Sequence, residues 1–267
     1  MKKQLRALIN HSPRLKSMLK CGLRLVMPER GVSTPYVEML GDEVGSESIR
    51  LRTAWKHDDL PVRQRELVDR QLSEYRHGAA IDVFDVMVKS LRGLQGGAGK
   101  LRVLEVGCSS GYYSEVFELA GLDVDYAGCD YSDAFVAMAR QRYPGLQFGV
   151  QDATSLKYAD SAYDLVIAGC CLLHIPEYQA AVAETARVAS RYAIFHRTPV
   201  VLGPPNKYYR KQAYGVETVE IHFNEPQFLQ LLTDNGLELL ATFTLDETVS
   251  RGVGSATRTY VCRKKVA

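Results

Sequence analysis

The chain lacks the features that define several large protein classes. Its six cysteines (Cys21, Cys108, Cys129, Cys170, Cys171 and Cys262) form no CxxC pair and show no metal-ligand spacing. No metal and no disulfide framework are therefore expected, and the thiols read as reduced and mostly buried. There is no run of about 18 uncharged apolar residues, which argues against a membrane-spanning helix. Internal repeats and low-complexity tracts are also missing. What remains is ordinary for a globular protein: 46% hydrophobic and 24% charged residues in 267, enough to bury a sizeable core.

A net charge of +2 conceals an asymmetry. Residues 1–30 carry eight Lys or Arg against Glu29 alone, a balance of +7, which leaves the rest of the chain at −5. Arg6, Asn10, Arg14 and Lys16 interrupt the apolar core that a signal peptide needs. The segment reads as a helical cap with a solvated basic face, a membrane-surface segment, or a transit peptide or partner tail. A body at −5 with no basic stripe argues against nucleic acid as partner. The expected location is cytoplasmic, with peripheral membrane contact through residues 1–30 left open.

Residues 1–95 read as a helical amino-terminal extension or cap. Pro61 suits a first helical turn, and Leu67, Val68, Leu72 and Tyr75 follow at helical spacing, as do Val83, Val86, Met87 and Leu91. "GLQGGAG", from Gly93 to Gly99, is the expected joint before a second domain over 96–267. There the rhythm changes to short apolar strands ("KLRVLEVG", "VDYAGCD", "LQFGVQD", "YDLVIAGC", "RYAIFHR") alternating with helices near 112–120, 132–142 and 177–189. That alternation predicts an α/β fold, a doubly wound, mostly parallel sheet covered on both faces. A helix near 225–235 precedes "LELLATFTL" and "TRTYVCRK", which lack an intervening helix and should pair antiparallel.

In such a sheet, ligands bind at the carboxyl ends of strands where the strand order reverses. Gly107 and Gly111, in "LEVGCSSGYYSEV", would let the first strand–helix turn pack tightly there, and Asp130 ends the next strand, placed to accept ribose hydroxyls. That much also suits an NAD-dependent oxidoreductase, but the third glycine of GxGxxG is missing. Glu105 sits beside the loop; a buried carboxylate demands a donor or cation, and a ligand ammonium would serve where a pyrophosphate would be repelled. Asp152 ends the third strand, within reach of an adenine amino group.

With "VLEVGCSSGYY", "GCDYS", "GVQDATSL", "YDLVIAGCCLLHI" and, more weakly, "RYAIFHR", the sequence resembles the class I, Rossmann-like S-adenosylmethionine-dependent methyltransferases of the small-molecule type. The resemblance covers roughly residues 100–197. It implies a seven-stranded sheet whose last strand is antiparallel. It also implies a cofactor site: Gly107, Ser109 and Gly111 under the methionine portion, Glu105 at its amino group, Asp130 on the ribose, Tyr131 against adenine, and Asp152 with Ala153 at the adenine edge. Ser109 departs from the family, whose central loop residue is glycine.

Neither an Asn/Asp-Pro-Pro-aromatic motif nor a Cys-Pro pair follows the fourth strand, so base methylation is not favoured. The expected acceptor is a small molecule methylated at oxygen or nitrogen. His174 is the leading candidate base, since its ordinary pKa lies near neutrality, and His196 is a weaker one. Residues 206–215, "NKYYRKQAYG", read either as a lid favouring an anionic or aromatic acceptor or as a solvated connector. Tyr75 and His77 are expected among the residues that cover the cofactor. A cofactor-binding scaffold without catalysis would show the same motifs.

Overall fold

The computed structural model describes residues 36–94, 99–203, 205–250 and 253–265. The basic segment 1–30, the centre of the glycine-rich joint and Pro204 lie outside these. Along the chain, β1 (Val37–Met39) and α1 (Asp42–Arg50) lead through a 3-10 turn (Ala54–Lys56) into α2 (Leu60–Arg76) and α3 (Asp82–Arg92). Pro61 sits in the first turn of α2.

Strand and helix then alternate. β2 (Leu101–Val106), α4 (Tyr113–Leu119), β3 (Val124–Asp130), α5 (Asp133–Arg142), β4 (Gln147–Val150), β5 (Tyr163–Ala168), α6 (Tyr178–Val188) and β6 (Ala189–Val201) follow in order. After them come β7 (Lys207–Ala213), β8 (Val216–Asn224), α7 (Glu225–Asp234), β9 (Leu237–Ser250) and β10 (Val253–Lys264). The Asn224 side chain caps α7 by accepting from the Gln227 amide at 2.9 Å, the role its spacing predicts.

β4, β3, β2, β5 and β6 lie side by side and parallel, and β10 then β9 complete seven strands, β10 antiparallel to both neighbours. The order reverses between β2 and β5, which opens a crevice at their carboxyl ends. Alternation along β2 shows which face each side chain takes. Leu101 and Val103 join the core under α2 to α5, whereas Leu104 and Val106 join the opposite cluster. By the period of two, Glu105 falls on the side of α2 and α3.

Two departures from the sequence reading stand out. First, α3 is not a separate cap. Phe84, Met87, Val88 and Leu91 are buried in the same cluster as Leu101, Val103, Ile167 and Ile194 of the sheet, so packing runs straight across the joint at 93–99. Second, residues 206–215 are not a solvated connector but regular structure. They form β7 of a hairpin with β8, which extends the sheet beyond β6, with β1 added at its edge. The hairpin turn is Tyr214–Gly215, both at positive φ (51° and 81°), the two-residue turn whose twist matches paired strands.

A cavity at the strand tips

A cavity of about 770 Å³ opens over the carboxyl ends of β2, β3, β5 and β6. Glu105, Gly107, Ser109, Asp130, Tyr131, Asp152, Ala153 and His174 all line it, so eight of the ten residues singled out by sequence converge on one space. Gly111 and His196 are not among its walls.

Glu105 is 2% exposed. The Tyr126 hydroxyl donates to one carboxylate oxygen, and Gly169 leaves room for the other. Burial lifts this carboxyl to about 8, and the nearby charge of Asp130 pushes the same way. Asp130 accepts the Ser109 amide at 2.9 Å and the Ser132 amide at 3.0 Å, so it fixes the loop while facing the cavity. Its burial raises the carboxyl above the ordinary range, and those amides oppose the rise. Asp152 differs: burial would raise it, but the Thr154 hydroxyl and amide, with Arg52 and Lys56 nearby, hold it below the usual range.

The glycines owe their identity to this chain's own side chains. A β-carbon on Gly107 would lie 2.4 Å from Cys171 Cβ, and one on Gly111 would lie 2.7 Å from the Phe148 ring. Ser109 carries its side chain into the left-handed region, φ 53°, and its hydroxyl donates to Gln64 of α2. Arg65, buried beside it, bonds Ser110, Tyr143 and Asp69. α2 thus roofs the loop through Gln64 and Arg65, not through Tyr75, which packs on Phe84, or His77, which is exposed.

His174 ends a 3-10 turn, Leu172–His174. Its Nδ1 donates to the Val219 carbonyl at 2.6 Å, which leaves Nε2 as the acceptor, and the Trp55 ring packs 4.7 Å from it. Burial lowers its pKa to about 4, so it is neutral and weakly basic. His196 is walled off: both ring nitrogens are engaged, with the Tyr113 hydroxyl at 2.8 Å and Thr259 Oγ1 at 2.9 Å, and burial keeps it uncharged.

Sequence reasoning missed Trp55, Tyr112 and Arg197, which also line the cavity, as does Tyr214 of the segment read as lid or connector. Among the described residues four non-glycines have positive φ, and three of them, Ser109, Arg197 and Tyr214, are cavity walls. Each such conformation costs about 1–2 kcal/mol, and strain of this kind gathers at functional sites.

This strand order, the turn after β2 and the acidic strand tips are those of the Rossmann-like methyltransferase fold. Residues 104–195 match the family model described as a methyltransferase domain. A demethylmenaquinone methyltransferase of Renibacterium salmoninarum is 37% identical over 87 residues, 33% of this chain and 36% of that protein. A trans-aconitate 2-methyltransferase of Variovorax paradoxus is 31% identical over 78 residues, 29% and 30% of the respective chains. The chain thus aligns with about a third of the length of these relatives. In fold it is similar to Burkholderia thailandensis 1,6-didemethyltoxoflavin-N1-methyltransferase, with a TM-score of 0.54 and 14% identity over 86% of this chain and 94% of that one.

Proposed function

We propose that this protein transfers the methyl group of S-adenosylmethionine to an oxygen or nitrogen of a small molecule. The observation that carries the reading is the pair of buried carboxylates, Glu105 and Asp130, at adjacent strand tips of one cavity. A carboxylate in such surroundings calls for a donor or a cation, and a cofactor with an ammonium and two ribose hydroxyls supplies both. Glu105 would meet the amino group, Asp130 the ribose, Tyr131 the adenine ring, and Asp152 with Ala153 the adenine edge. When bound, the cofactor supplies a sulfonium methyl open to in-line displacement.

The chain's own contribution is chiefly to position. Holding two reactants aligned is worth about 7–11 kcal/mol, so few groups with acid–base roles are needed. Trp55, Tyr112 and Tyr214 close the acceptor side and exclude water. His174 Nε2 is held free to accept a proton from an acceptor acidic enough to yield it. The relatives named for demethylmenaquinone and trans-aconitate are in keeping with a small-molecule acceptor.

Calorimetry with S-adenosylhomocysteine and NAD tests the cofactor: the first binds and the second does not. Asp130→Asn should weaken S-adenosylhomocysteine at least about tenfold, as loss of a charge-assisted pair does, and unchanged affinity refutes the ribose assignment. If His174 takes the proton, His174→Ala lowers turnover while sparing that affinity.

A further inference from the structure

Among the described residues, three cations line the cavity wall away from the β2–β3 tips, and two are neutralised. Arg52 faces Glu177 at 3.6 Å and Lys211 pairs with Glu220. Arg197 is different. Its guanidinium makes no ion pair or side-chain hydrogen bond to any described residue, and its surroundings are Cys170, Tyr112, Tyr113 and Tyr214. Arg197 is half-buried on the cavity wall, where an unpaired guanidinium is stabilised by an anion that enters, so the arrangement waits for one.

The backbone shows how Arg197 comes to be there. β6 pairs with β5 up to Phe195 and with β8 only from Val200. Between them, two β6 residues, His196 and Arg197, face Thr259 alone on β10, since Phe195 pairs with Tyr260 and Thr198 with Arg258. This is a β-bulge. Phe195 and Val200, five positions apart, consequently lie in the same core cluster, which an unbroken period of two forbids. Arg197 adopts φ 56°, its amide on Thr259 Oγ1 at 3.4 Å. Bulges of this kind re-aim a side chain next to a site.

We infer that Arg197 anchors the acceptor, and that the acceptor is a flat organic acid carried into the cavity as its carboxylate. The aromatic walls at Trp55, Tyr112 and Tyr214 favour a planar body, and the fixed guanidinium favours a carboxylate over a neutral group of the same shape. An acid that arrives ionised also suits a site whose histidine is a weak base. The inference rests on the methyl-transfer reading for the word acceptor, but the anion preference of Arg197 is measurable without it.

The test is titration of the full chain with 2-naphthoate and its neutral counterpart 2-naphthamide, with and without saturating S-adenosylhomocysteine. Naphthoate should bind at least about tenfold more tightly than naphthamide, as a charge-assisted pair provides. Arg197→Gln should reduce that preference to within about twofold without altering S-adenosylhomocysteine affinity, and Arg197→Lys should retain part of it. Equal binding of the two probes, no naphthoate binding, or a preference that survives Arg197→Gln overturns the assignment. If S-adenosylhomocysteine does not bind at all, the methyl-transfer reading falls, and the comparison made without nucleoside still decides the role of Arg197.

Discussion

Glu105 ties ligand binding to proton uptake. Its folded pKa of about 8 stands above the ordinary 4.5, so the folded chain holds a proton that the unfolded chain has lost between those values. Stability of the ligand-free protein from this group is therefore full below pH 4.5 and declines as pH rises toward 8. Glu105→Gln should remove that decline, which urea unfolding at pH 5 and pH 8 would show. A bound ammonium restores the charged form, so S-adenosylhomocysteine binding at pH 7 should release about one proton, visible as a binding enthalpy that varies with the buffer. A second residue-scale prediction concerns Gly107. Gly107→Ala should cost about 2–4 kcal/mol, from left-handed strain and the clash with Cys171. Adding Cys171→Gly should return the steric part and leave the strain, a coupling that a double-mutant cycle measures.

Among the elements, the strands and helices from β2 to β6 were legible because short apolar strands and amphipathic helices have distinct periods. The acidic strand tips could be read for the same reason: loops at a switch point have few places to go. The hairpin of β7 and β8 was hidden by composition, since the Lys, Arg and Tyr of 206–215 look like surface loop. The available signal was Val219, Ile221 and Phe223 at period two after the turn at Tyr214–Gly215. Arg197 could not be read at all, because a bulge depends on the register of β10, which no local pattern carries. The turn offers an element-scale test. Gly215 has φ 81°, and a β-carbon there would lie 2.6 Å from Arg63 Nη1. Gly215→Ala should destabilise the hairpin by about 1–2 kcal/mol, seen as faster amide exchange in β7 and β8 than in β2 or β5.

At the scale of the whole molecule, the glycine-rich joint divides the sequence more sharply than it divides the packing. α3 contributes Phe84, Met87, Val88 and Leu91 to the sheet's core, and each such side chain is worth about 1.5–3 kcal/mol when buried. Their sum matches the entire stability of an ordinary domain, about 5–15 kcal/mol. A chain begun at Gly99 should therefore show no cooperative unfolding transition in urea, whereas the full chain should. The cavity spans both sides of the joint as well, with α2 above and strand tips below. Whatever binds there fastens the two stretches together.

The sequence contains a single tryptophan, and it is Trp55. Its indole nitrogen donates to Thr218 at 3.0 Å, its ring lies on His174, and its backbone amide meets the Tyr131 hydroxyl at 3.0 Å. The molecule consequently carries its own optical gauge: all tryptophan emission originates at the wall between the proposed adenine and acceptor subsites. Filling either one should change intensity or wavelength in a saturable way, so affinities can be followed by light alone on unlabelled protein.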